Sequence, residues 1–201
     1  GMVASANFLG YLVGALAAMS LAGSAVRSGF RASLIASVAT TGLMAMDAAL
    51  PVLALWRFLG GIASAGVLVF SSTLVLERLA RMNRTGLAAL HFAGVGVGIA
   101  VSAVLVGVLV RSGAAWQGQW IGAGALAGVL GIGAWICLVA SDDAVEPRPS
   151  AADAAPAPAA RIARPSPALV RLAVAYALFG VGYVVTATFL TSILRASQTL
   201  S

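Results

Sequence analysis

Six runs of about twenty apolar residues, set apart by short polar or Gly- and Pro-marked breaks, leave this chain few ways to fold. They extend roughly over Met2 to Ala22, Ala32 to Leu50, Val52 to Leu76, Gly86 to Val110, Trp116 to Ala140 and Leu172 to Leu194. A helix of about twenty residues matches a hydrocarbon core about 30 Å thick. Within lipid every backbone N–H and C=O must find its partner inside the protein, so each run is expected to be helical. The stretches "VRSGFR", Pro51, "ERLARMNRTG" and "RSGAAWQGQ" read as the connections. The expected fold class is all-α, a polytopic transmembrane helical bundle.

Composition agrees with a membrane setting. With 61% hydrophobic and only 9% charged residues, 201 residues hold too little polar surface to coat a soluble domain. The formal charge of +6 comes from short basic clusters between the apolar runs, not from an aromatic-interleaved basic face, so nucleic acid is not an expected partner. Cys137 stands alone in an apolar run, which provides neither a disulfide framework nor a metal-ligand spacing, and no cofactor is expected. The first run has no basic segment before it and is about twenty residues long, so it reads as a retained helix and not as a signal peptide.

Arginines give the expected orientation. Arg27 and Arg31, then Arg78, Arg81 and Arg84, then Arg148, Arg161, Arg164 and Arg171 fall in alternate connections, and the other side carries only Arg111 and Arg195. The positive-inside rule places the three basic connections in the cytoplasm. Trp56, Trp116 and Trp120 then gather near the outer interface, as an aromatic belt would. The first run begins outside, and the chain stops a few residues after its last one, so it is expected to be a piece of a longer protein. One clear boundary divides it: residues 141–167 are rich in Ala and Pro, which oppose helix and supply no core. The expected organisation is five helices over 1–140, a cytoplasmic linker over 141–167, and one further helix within 168–201.

Small residues mark the packing faces. Gly10 and Gly14 in "NFLGYLVGA", and Gly94 and Gly98 in "HFAGVGVGIA", are each four apart, a spacing that lets helix backbones approach closely. The two pairs lie three runs apart and in helices of opposite sense, as in inverted three-helix repeats, although Gly-rich faces also occur in any membrane bundle.

The ordered motifs resemble the major facilitator superfamily. "WRFLGGIASA" is similar to its fourth-helix signature through Arg57, Gly61 and Ala65. "VRSGFR" is similar to the loop between its second and third helices through Arg27, Gly29 and Arg31, with Val26 in place of the usual acid and Ala22 in place of the leading glycine. "GVGVGIAVSA" resembles the fifth-helix antiporter motif at Gly94 and Gly98, with Ile99 where proline is usual. With "GYLVGAL" and "FGVGYVVTATFL", the chain looks closest to the YbfB/YjiJ-type branch, covering helices two to seven of twelve.

That resemblance implies secondary transport of a small solute by alternating access, coupled to protons, in a bacterial cytoplasmic membrane. Membrane lipid, the solute and the proton are its implied partners. It also implies roles for particular residues. Arg57 would act in coupling or substrate binding; it could equally snorkel to an interface about 9 Å away, or pair with Asp47. Glu77 would pin Arg27 or Arg31 as a cytoplasmic gate, or act as an ordinary interfacial acid. Asn7, Tyr11, Tyr183 and Thr186 would line a central cavity, or bond between helices. His91, the one histidine, reads as a hydrated interfacial residue near the basic loop, with a proton site as the alternative. A membrane enzyme would need a metal cluster or intramembrane carboxylate pairs, which this sequence does not offer; a helical channel or sensor is the remaining alternative.

Overall fold

The computed structural model describes residues 1–21, 24–143, 166–168, 170–171, 174–178, 180 and 182. The chain divides into two units, Gly1–Val145 and Glu146–Ser201. In the second unit, the described residues with regular structure are helical. Tyr183 and Thr186 lie outside the described residues.

The first unit contains five α-helices and no strand among its described residues: α1 (Met2–Ala18), α2 (Ser24–Leu43), α3 (Leu50–Arg81), α4 (Ala88–Arg111) and α5 (Trp116–Asp143). Their length and composition make this an integral membrane helical bundle. The segments Leu50–Arg81, Thr85–Arg111 and Trp116–Val139 are each long and apolar enough to cross a bilayer, and Met2–Ala18 is a shorter apolar helix. α4 has no buried residue. Its Leu90, Val97 and Val104 are each more than 60% exposed, which suits a helix whose surroundings are hydrocarbon.

Helix ends follow local chemistry. α3 stops where Asn83 takes a positive φ of 52°, with Asn83 N–H donating to Ala80 O at 3.1 Å and Arg84 N–H to Leu79 O at 2.9 Å. α4 stops in the same way at Gly113, φ 76°, with Gly113 N–H on Val110 O and Ala114 N–H on Leu109 O. This pair of bonds is the Schellman ending, and Asn and Gly are the residues that tolerate its left-handed position. Pro51 sits in the first turn of α3, where its missing N–H leaves no helical bond unmade.

Several boundaries differ from the sequence reading. α1 ends at Ala18, not Ala22, and α2 already begins at Ser24, so "VRSGFR" is the opening of a helix and not a loop. The reason is tertiary. A Cβ on Gly29 would lie 2.8 Å from the Phe70 ring of α3, so the glycine that looked like a turn signal is the gap that receives Phe70. α3 likewise runs through Glu77 to Arg81, past the expected end of its run.

α3 is the central helix. It packs most extensively on α1 and also on α2, while α5 packs on α2 and α4. The α1–α3 contact is a parallel crossing of small residues. A Cβ on Gly10 would strike the Phe58 carbonyl, one on Gly14 would lie 2.7 Å from the Ile62 backbone, and one on Gly61 would strike the Asn7 carbonyl. At the start of α2, Ala18, Val26, Phe30, Phe70 and Leu138 form a buried apolar cluster.

Candidate functional site

The α1–α3 crossing brings several singled-out residues into one neighbourhood. Gly61 lies against the backbone of Asn7 and Tyr11, and Arg57 stands one turn before Gly61 on α3. Asn7, Tyr11 and Arg57 are all half-buried. The helices can meet this closely because glycine leaves backbone surface bare.

Arg57 is held by a ring. Its Cζ lies 5.2 Å from the centroid of Trp120, in the first turns of α5. Such a contact offers a guanidinium about 0.5–2 kcal/mol, and its planar, weakly hydrated shape suits the indole face. Asp47, at the α2–α3 connection, is exposed and does not form an ion pair with Arg57. Nineteen residues separate Arg57 from Glu77 without an intervening charge. At 1.5 Å each they span about 28 Å, close to the thickness of the hydrocarbon core, so the two charges can stand at its opposite edges.

A second arginine repeats the arrangement at the other end of α5. Arg31 of α2 places its Cζ 5.4 Å from the centroid of Trp135. Trp135 was not singled out from the sequence. The available signal was its position fifteen residues after Trp120, about 22 Å along a helix, which puts the two indoles near opposite ends of one span.

The proposed gate residues are distributed as follows. Arg27, Gly29 and Arg31 occupy the first two turns of α2, and Glu77 is exposed one turn before the end of α3. Val26, which stands where the superfamily motif has its acid, is 6% exposed and belongs to the buried cluster. A carboxylate there would be stripped of water, so valine converts that position from polar to apolar contact. His91 is half-buried, and its Nε2 lies 3.1 Å from Ser72 Oγ, joining α4 to α3. Gly94 and Gly98 differ from Gly10 and Gly14, since a Cβ on either would meet nothing within 4 Å among the described residues. Within the same limits, no group of three or more His, Cys, Asp or Glu comes together to hold a metal ion.

A family model described as "Uncharacterised MFS-type transporter YbfB" matches residues 1–200. The chain belongs to this family. Membership carries a transporter role and agrees with the apolar helices of the fold. No curated protein and no solved structure matches the chain. In YbfB-family terms, the crossing of α1 and α3 and the Arg57–Trp120 contact are this member's candidate site.

Proposed function

We propose that this YbfB-family chain works in secondary active transport, moving a small solute across a bacterial cytoplasmic membrane by alternating access and driven by protons. The observation that supports this most directly is Arg57, a permanent cation on a membrane helix, one turn from the glycine crossing that gathers Asn7 and Tyr11. Arginine's fixed charge would lower the proton affinity of a nearby carboxylate, linking solute occupancy to protonation. Glu77 and the arginines that open α2 serve as the cytoplasmic gate in this reading, their ion pair forming in one state and opening in the other.

The test has two parts. A stability screen over small-solute classes first identifies a solute that raises the melting temperature of the purified protein. Reconstituted vesicles then compare equilibrium binding of that solute with its uptake under an imposed proton gradient. Arg57→Lys is expected to bind the solute but not accumulate it, because lysine keeps the charge and loses the planar fork. Full accumulation by the lysine variant excludes Arg57 from coupling, and uptake indifferent to the gradient excludes the proton.

A further inference from the structure

Among the described residues, the five N–H donors of Arg57 meet no oxygen acceptor. The Trp120 ring attracts the charge of the guanidinium, but a ring face supplies no oxygen to its donors. No nitrogen of Arg57 is both buried and without a partner, so these donors open onto space that a ligand can enter. An arginine on a membrane helix is costly without a partner, and an anion bound at its open edge would relieve that cost.

The chain's own six acids are not placed to be that anion. Asp47, the nearest in sequence, is exposed and forms no ion pair with Arg57. Glu77 stands near the far end of α3, about 30 Å along the helix. Asp142 and Asp143 end α5, about 33 Å or more beyond Trp120, and Glu146 and Asp153 come after them in the Ala- and Pro-rich segment.

The setting also limits what the anion can be. A guanidinium fork matches the two oxygens of a carboxylate in a bidentate pair. Leu53, Ala54, Gly60 and Gly61, the neighbours of Arg57 one turn away on α3, carry no charge, and neither does α5 from Trp116 to Ala140. One cation in an apolar setting is balanced by one negative charge. A second carboxylate on the ligand, or a phosphate dianion, would bring surplus charge into a medium of low dielectric.

We propose that Arg57 receives the carboxylate of a small monocarboxylate solute, with Trp120 holding the guanidinium in place. The proposal rests on the transport reading and names its solute class, an organic anion of single charge. Phe at positions 56, 116 and 135 leaves Trp120 as the one indole of the chain. A matching protein that keeps only Trp135, which also lies beside an arginine, is the reference. Each purified protein is titrated at constant ionic strength with acetate, butyrate, lactate and benzoate, with the neutral amide of each, and with succinate and inorganic phosphate.

At least one monocarboxylate should change Trp120 emission at a concentration about tenfold or more below that of its amide, of succinate and of phosphate, while Trp135 stays unmoved. Arg57→Gln should erase the response, and Arg57→Lys should weaken it several-fold, because lysine keeps the charge and loses the fork. Four carboxylates that act no better than their amides would overturn the proposal. Succinate or phosphate acting as well as the monocarboxylates, or an equal response at Trp135, would overturn it in favour of general anion association. A response that survives Arg57→Gln would remove the carboxylate from Arg57. Where that variant fails to fold, carboxylate against amide at Trp120, with Trp135 as reference, decides the case. Uptake into reconstituted vesicles separates this inference from the transport reading. A monocarboxylate that binds at Trp120 but is not accumulated would uphold the anion site and overturn transport. Accumulation of a neutral or cationic solute without monocarboxylate binding would overturn the site and uphold transport.

Discussion

Arg57 shows how a ring can serve where no counter-ion stands among the described residues. Its guanidinium lies over Trp120 on another helix, so the contact ties α3 to α5 as well as sheltering the charge. A double-mutant cycle of Arg57→Gln and Trp120→Leu should give a coupling free energy of about 1 kcal/mol in chemical unfolding. Additive effects would mean that the ring contributes only its bulk. Glu77 makes a different kind of contribution in the gating proposal. If its pairing with Arg27 or Arg31 favours one state, Glu77→Gln should redistribute distances measured by paired spin labels across that face, while solute affinity within each state stays nearly constant. An unchanged distribution would leave Glu77 as an exposed acid near the end of α3. Each arginine was visible in the sequence as an anomaly in or beside an apolar run. Their aromatic partners were not, because Trp120 and Trp135 lie 63 and 104 residues away and no local pattern encodes such a pairing.

Among the elements, apolar run length made α3, α4 and α5 legible, and "RSG" at Arg111 to Gly113 marked the end of α4 correctly. The same three letters at Arg27 to Gly29 fall inside α2. The difference is that Gly113 has positive φ and open space, whereas Gly29 remains helical and accepts Phe70 from α3. A local signal therefore had two meanings, and packing between distant residues chose between them. The glycine pairs divide in the same manner. Gly14→Leu should split α1 from α3 and lower the yield of monodisperse protein in size-exclusion chromatography, since its Cβ has backbone in the way. Gly94→Leu in this 201-residue chain should leave the elution profile unchanged, because the added side chain has room. Equal loss from both would show that Gly94 meets a partner that the described residues do not include.

At the scale of the molecule, orientation is the first expectation to test. With Cys137 replaced by Ser, a cysteine introduced at Ala155 should react only with reagents that enter the cytoplasm, and one at Gly118 should react from outside. The reverse pattern would invert the bundle. A second expectation comes from the uncharged stretch of α3 between Arg57 and Glu77, which has nearly the length of a bilayer's hydrocarbon core. Because charges close both ends of that stretch, α3 also behaves as a ruler for hydrophobic mismatch. A thinner membrane can be met by tilting the helix, whereas a thicker one must thin locally, stretch the flanking side chains toward the interface or draw an arginine or a glutamate into hydrocarbon. Melting temperature in vesicles of graded acyl-chain length should consequently fall more steeply on the long-chain side than on the short-chain side. Arg57→Leu, by opening one end of the ruler, should move the optimum toward thicker membranes.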